Sequence, residues 1–434
     1  MGNYSEVTDM KRGAWVLVAV LVAGVVAVAQ SPVTITFWTH EDPNRTPLEE
    51  AYIRGFQAMY PHVTIERVTY PSAKIAEVLL TAFAARRGPD IFNLEINDAY
   101  PYLELGRVAP LKPEWVCYDS VESILGAYLE GTLDAVYRDG KLYGLPLELT
   151  IWSVFVNKKY FREVGLDPDR DYPRTWEQMM AVSEQLVIRD GEILKRRGFD
   201  FRYPYYLEWL LPMVEQMGGA FLSPDGQTAI VNDDAWLHVL RFMQQWGPSG
   251  KNLGSPTYTA ARKLFNYDRN EVAMCLTGFY QIARIRADNE AFYESGEWMV
   301  IPFPVFEGAV RDVAAHYYGH YYMVNAESSP ETQEWAWRFI AYMLSHPEEY
   351  LLQVGLIQPR KDLLASEAYA SVPYGDVFAG DMARSSLVQL HVANPEFKQL
   401  LDDAVKAVML SGVTPEEALA TLKQRANEVL EEYR

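Results

Sequence analysis

Between Val33 and Leu94 the apolar residues keep changing their period. Val33–Trp38 alternates apolar and polar side chains, as a half-buried strand does. Glu49–Met59 repeats at helical spacing and stops short of Pro61. Val63–Val68 alternates again, and Ala73–Ala85 returns to helical spacing until Gly88-Pro89 breaks it. Asp90–Leu94 is a short apolar strand. Strands separated by helices pair side by side in parallel, through right-handed crossovers. This rhythm restricts the chain to an α/β fold.

The same two periods recur downstream in less regular order. Tyr137–Gly144 places Asp139-Gly140 between strand-like flanks, a tight hairpin turn. Leu145–Thr150 is extended, Trp152–Asn157 reads as a strand, and Lys158–Val164 as a short helix. Thr175-Trp176-Glu177-Gln178 is a capping box opening a helix to Ile188. Trp236–Trp246 and Pro330–Leu344 are amphipathic. Thr414-Pro415-Glu416-Glu417 opens the last helix with a Thr cap and Pro in the first turn. A chain of 434 residues is too long for one ordinary core, so two lobes are expected.

Trp15–Ala29 carries no charge, follows Lys11 and Arg12, and ends in Ala27-Val28-Ala29. Basic residues, a short apolar core and Ala-x-Ala predict a secretory signal over 1–29, cut before Gln30. The run is shorter than the roughly 20 apolar residues a membrane span needs. An uncleaved N-terminal anchor is the competing reading. No Cys follows the apolar core to carry a lipid. The expected location is therefore periplasmic or extracellular. The net charge of −19 argues against nucleic-acid binding. Cys117 and Cys275 are the only cysteines, and either one disulfide or two free thiols fits them.

Several segments, in order, carry a family resemblance. They are Ile35-Thr36-Phe37-Trp38, Phe56-x-x-x-Tyr60-Pro61-x-Val63, Gly88-Pro89-Asp90-Ile91, and the run from Asp139-Gly140-Lys141 to Tyr143-Gly144-Leu145-Pro146. Asn157-Lys158 follows, then Pro173-x-Thr175-Trp176, Gly218-Gly219, Ala273-Met274 with Thr277-Gly278, and Gly355-x-x-x-Pro359. Spanning nearly the whole secreted chain, they resemble the extracellular solute-binding proteins of bacterial ABC sugar importers, the maltose-binding-like group. The resemblance implies the type II periplasmic binding protein-like fold, two discontinuous α/β lobes joined by a multi-crossing hinge. One lobe would hold 30–147 plus 317–356, the other 148–316 plus 357–434, with Leu145–Thr150 as the first crossing.

Candidate ligand residues follow from strand ends and from sugar chemistry. In open α/β sheets ligands gather outside the carboxyl ends of strands. His40 and Glu41 follow the first strand, and Glu95, Asn97 and Asp98 follow the Asp90–Leu94 strand. Carboxylates and amides bond sugar hydroxyls, while aromatic rings pack on the apolar C–H face. The sequence supplies 28 Tyr and 11 Trp for that second task. Glu148 and Trp152 lie at the implied hinge. Trp209, with Tyr205 and Tyr206 competing, is the stacking candidate on the helix that the resemblance places along the cleft. Phe279 and Tyr280 stand where relatives carry an aromatic against the ligand. In His316–Tyr322 the Gly and aromatics favour a strand over a metal-binding helix, and strand spacing puts Tyr318 and His320 on one face. Arg360, near the third crossing, is a further candidate. Any one of these acids or aromatics also fits a solvated loop, a helix cap or a core position.

The expected function is capture of a mono- or oligosaccharide between the lobes by hinge closure, and delivery to the membrane permease subunits of an ABC transporter. The expectation includes a monomer, with no catalysis, cofactor or metal. Two other readings compete. A secreted glycoside hydrolase would use two carboxylates, such as Glu41 and Glu148, at a defined separation. The same binder could instead carry a glycerol-phosphate diester or another polyol, which would call for a cluster of Arg and Lys.

Overall fold

The computed structural model describes residues 31–72, 74–231, 234–257 and 261–434; the expected signal segment lies outside them. The opening rhythm forms as expected. Strand β1 (Val33–His40) pairs in parallel with β2 (Val63–Tyr70) and with β3 (Ile91–Glu95). The helix between β1 and β2 runs Arg45–Met59, starting four residues before the helical spacing does. Its first turn is hidden in Asn44–Pro47, which reads as loop. Asp42 Oδ1 accepts the Asn44 and Arg45 N–H groups there, at 2.9 and 3.1 Å. This satisfies donors that a helix start otherwise leaves bare. The Thr175 helix ends at Leu186, before Ile188, because Ile188–Asp190 pairs as a strand.

The hairpin is β4 (Tyr137–Arg138) and β5 (Lys141–Leu142). Asp139 and Gly140 take φ of 49° and 76°, the two positive values its turn requires.

Two five-stranded sheets follow. The first has the order β2-β1-β3-β12-β6, with β6 at Leu145–Thr150 and β12 at Tyr318–Val324. The second runs β11-β7-β10-β9-β8. There β7 is Trp152–Asn157, β8 Ile188–Asp190, β9 Ile193–Asp200, β10 Val272–Gly278 and β11 Trp298–Ile301. β12 lies antiparallel between β3 and β6, far from both in sequence, which local periodicity does not reveal.

Each sheet has its own core. Ile35, Phe37, Phe92, Trp337 and Phe339 pack together around the first. Trp176, Trp209, Trp236 and Trp246 pack around the second. Burying a side chain of this kind stabilises by about 1.5–3 kcal/mol, and these residues are part of a larger buried core in each lobe. Both cysteines are free: Cys117 is exposed in the first lobe and Cys275 is buried on β10 of the second.

The chain passes between sheets where one residue, Ile151, separates β6 from β7. It returns from β11 to β12, then leaves again near Ile357, whose carbonyl accepts the Leu149 N–H at 2.8 Å. These crossings bring the carboxyl ends of β1 and β3 against the second lobe.

Candidate functional site

At the floor of the interlobe cleft, β6 and β12 set Glu148 opposite His320. The His320 imidazole Nδ1 lies 2.7 Å from Glu148 Oε1. Register shifts immediately after His320, a bulge of the kind that re-aims side chains beside sites. The other carboxylate oxygen, Glu148 Oε2, is buried and has no hydrogen-bond partner. His40 ends β1 with its ring centroid 4.7 Å from that of His320. Burial, reinforced by Arg45, His320 and Arg284, pushes the His40 pKa well below its ordinary value. The ring is therefore neutral at pH 7 and offers one donor and one acceptor.

Aromatic rings line the other wall. Tyr318 shares its strand face with His320, with centroids 5.9 Å apart, and its hydroxyl accepts the Trp152 indole N–H at 3.1 Å. The Arg202 guanidinium sits 4.6 Å from the Trp152 ring centre and 4.8 Å from that of Tyr205. Arg284 lies 4.4 Å from Tyr280, one helical turn before it, and pairs across the lobes with Asp42 at 2.7 Å. Burial would raise the Asp42 pKa, but Arg284 and Arg45 outweigh it and hold this carboxyl below the usual range.

A second group bridges the cleft at the end of β3. Glu95 caps the helix Ile96–Glu104, its Oε1 accepting the Asn97 N–H at 3.1 Å. Its Oε2 and Asp98 Oδ1 accept from Lys398 Nζ at 3.0 and 2.9 Å. Lys398 belongs to the second-lobe helix Asn394–Leu410, whose first residue donates its side-chain amide to Asn97 Oδ1 at 2.9 Å. Burial alone would lower the Lys398 pKa, but Asp98 and Glu95 hold the ammonium well above its ordinary value. Behind it Glu208 is buried, and that burial pushes its pKa to about 7 even though Lys398 opposes the shift.

Among the sequence candidates, His40, Glu148, Trp152, Tyr280, Tyr318 and His320 come together on the floor. Glu95, Asn97 and Asp98 form the bridged flank. The other four lie elsewhere. Trp209 is not at the cleft. Its helix, Tyr206–Gln216, is buried on nearly every face, its ring stacks 4.6 Å from Phe201, and its indole N–H donates to the Arg202 carbonyl at 2.9 Å. Phe279 is packed in the second core against Phe378. Arg360 is on the third crossing, held by Asp362 and by the Leu344 carbonyl. The Glu41 side chain is exposed, and its backbone N–H bonds Tyr70. His316 and His320 have separate partners, Glu215 for the first and Glu148 for the second. Among the described residues no three His, Cys, Asp or Glu side chains could hold a metal.

Sequence reasoning missed Arg202, Arg284, Lys398 and Asn394. Only Arg284 left a local trace, four residues after Tyr280 and so on the same helix face. Lys398 sits on a long amphipathic helix some 300 residues from its partners, and nothing local signals that it meets them.

The model of the bacterial extracellular solute-binding protein family matches residues 42–350. A binding protein of Brucella abortus is 22% identical over 251 residues, 56% of this chain and 57% of that protein. The chain thus spans about half the length of the curated relatives it matches. A solute-binding protein of an ABC transporter from Thermotoga lettingae, solved bound to α-D-tagatose, superposes with a TM-score of 0.78 at 19% identity. That match covers 92% of this chain and all (100%) of the other. The GacH receptor of Streptomyces glaucescens, solved unliganded and with acarbose, gives 0.79 at 18% identity over 93% of this chain and 100% of that one. These likenesses are of fold, the two-lobed α/β architecture of type II periplasmic binding proteins. No described helix is long and apolar enough to cross a membrane. With the family model covering most of the chain, the protein belongs to the bacterial extracellular solute-binding proteins.

Proposed function

We propose that this protein captures a sugar between its lobes and delivers it to the permease subunits of an ABC importer. In this reading it works as a monomer outside the cytoplasmic membrane, after export on residues 1–29. The lobes are 30–150 plus 317–356 and 151–316 plus 357–434, since β6 keeps residues 148–150 in the first sheet and moves the first crossing to Ile151. Closure about the hinge encloses the cargo, as in other binders of this architecture. No bond is made or broken, so no catalytic group is required.

The observation that carries the reading is the buried, unpartnered Glu148 Oε2 on a floor walled by Trp152, Tyr318 and Tyr280. A buried carboxylate oxygen without a donor is costly, and a sugar hydroxyl supplies one. The rings are at most 5% exposed here, and in this reading they meet the sugar's C–H face once the lobes part. Charge favours a neutral cargo over a phosphodiester, because the bridging cations are already answered: Arg284 by Asp42, and Lys398 by Glu95 and Asp98.

Calorimetry against mono- and oligosaccharides, with a glycerol phosphodiester as the contrasting arm, tests this. At least one sugar binds, and Glu148→Gln weakens it about ten- to a hundredfold, the worth of a charge-assisted bond of roughly 1.5–3 kcal/mol. Binding of the phosphodiester alone would replace the cargo. Reducing ends released over a day by wild type and lost in Glu148→Gln would make the protein a hydrolase.

A further inference from the structure

Where the lobes meet at the end of β3, three carboxylates gather around one ammonium. Glu95 and Asp98 bond Lys398 from the first lobe, at 3.0 and 2.9 Å. Glu208 faces the same group from the second lobe, on the helix Tyr206–Gln216. It is 2% exposed, and its Oε2 is buried without a hydrogen-bond partner. Neighbouring charges are engaged elsewhere. His316, whose N–H donates to the Glu208 carbonyl at 2.8 Å, turns its ring to Glu215 at 3.0 Å. Asp402, one turn beyond Lys398 on the same helix, accepts from Lys406 at 2.5 Å. Lys398 is left to answer Glu208, and two carboxylates of the opposite lobe already share it.

A buried carboxyl beside two carboxylates favours its neutral form. Burial holds the Glu208 pKa at about 7 against the pull of Lys398, and Glu95 and Asp98 add to the rise. Parting the lobes divides the cluster unequally. Glu95 and Asp98 leave with the first lobe, while Lys398 stays beside Glu208 on the second. Glu208 then loses two like charges and keeps an unshared ammonium, and both changes favour the carboxylate. The proton is therefore held more tightly with the lobes together than apart. A group whose pKa is raised in one form stabilises that form at low pH, and the gain fades as pH rises through the raised value, here about 7.

We propose that lobe closure takes up a proton at Glu208, so that the protein closes more readily and holds its cargo more tightly on the acidic side of neutrality. The inference rests on the hinge closure of the proposed function, and not on which cargo the cleft takes. One proton changes the closing equilibrium by at most about tenfold per pH unit.

Small-angle scattering of the full secreted chain without sugar, at pH 5.5, 7 and 8.5, tests it. The radius of gyration of wild type falls from pH 8.5 to 5.5. Glu208→Gln, neutral at every pH, keeps the smaller value throughout. Should that variant melt below wild type, Asp98→Asn, at a side chain 27% exposed, removes one opposing carboxylate and shrinks the pH response. Lys398→Met, which unties the lobes, is larger than wild type at pH 5.5 and shows that they can part. Constant wild-type dimensions across pH, with Lys398→Met still expanded, would overturn the proton uptake and leave hinge closure standing. Dimensions that change neither with pH nor in Lys398→Met would overturn hinge closure itself. A pH response kept in full by Glu208→Gln would overturn the role of Glu208 and pass it to His40 and His320 on the floor.

Discussion

Glu49 and Lys398 are mirror images. Glu49 is one carboxylate between two guanidiniums: Arg67 at 2.7 Å and Arg45 at 3.4 Å, with the Tyr322 hydroxyl donating as well. Lys398 is one ammonium between two carboxylates. Their surroundings differ. Every partner of Glu49 belongs to the first lobe, and the Glu49 side chain is 0% exposed. The partners of Lys398 belong to the opposite lobe, and all three side chains keep some contact with water, 12–27% exposed. A triad inside one lobe has no way to exchange its bonds for water without unfolding. A triad across two lobes exchanges them whenever the cleft opens. Under the proposed hinge motion, the same chemistry is thus part of the scaffold in one place and a reversible closure contact in the other.

The most direct way to break the comparison is to neutralise Glu49. Glu49→Gln strands Arg45 and Arg67 in the core. Removing one partner of a buried ion pair costs about 3–5 kcal/mol, and urea unfolding should show a loss of that size. A loss below about 1 kcal/mol would mean that the two triads are equivalent.

Glu208 sharpens the contrast through pH. It faces Lys398, Glu95 and Asp98 from behind, and burial raises its folded pKa from 4.5 to about 7. Between those values the folded state binds the proton more tightly than the unfolded chain does. This contribution to stability is therefore complete below pH 4.5 and is lost as pH rises through 7, by no more than about 1.4 kcal/mol per pH unit. Glu208→Gln should remove that slope from urea unfolding measured at pH 5, 6 and 7. An unchanged slope would assign it to other groups.

Lys398→Met should behave in the opposite way to Glu49→Gln. Partly hydrated ion pairs contribute about 0–1 kcal/mol, so the unfolding midpoint should barely move. The sugar-free radius of gyration in small-angle scattering should rise, since the Glu95 and Asp98 carboxylates then favour water over a closed cleft. A large stability loss with no change in dimensions would make Lys398 a scaffold residue like Glu49.

The contrast also explains what could be read from the sequence. The βαβ rhythm, the hairpin turn and the helix caps depend on neighbours a few residues away, so β1 to β3 and the Thr414 helix were legible. The same holds for the strand ends that carry His40 and Glu95, and for the pairing of Tyr318 with His320 on one face. What decides between core and cleft is long-range. Trp209 and Trp152 are equally aromatic in the sequence, and only packing sends one beneath Phe201 and the other beside Tyr318. Lys398, Asn394 and the antiparallel insertion of β12 depend on partners hundreds of residues away, which no local period encodes.

Glu41 gives the smallest expected effect and marks the edge of the site. It follows His40 directly, yet its side chain is exposed while His40 is half-buried against His320. An exposed carboxylate is hydrated already, so replacing it removes no paired partner. At physiological ionic strength its field is screened within about 8 Å. Glu41→Gln should leave stability within about 0.5 kcal/mol, the usual range for a surface substitution away from special features. It should also leave sugar affinity within about twofold, against the ten- to hundredfold expected for Glu148→Gln. Paired calorimetry of the two variants against one sugar makes the comparison. A tenfold loss at Glu41 would mean that the loop after β1 turns inward when the lobes close on cargo. The binding surface would then extend from the Glu148–His320 floor to the rim, and that loop would join Lys398 among the contacts that exist only in the closed state.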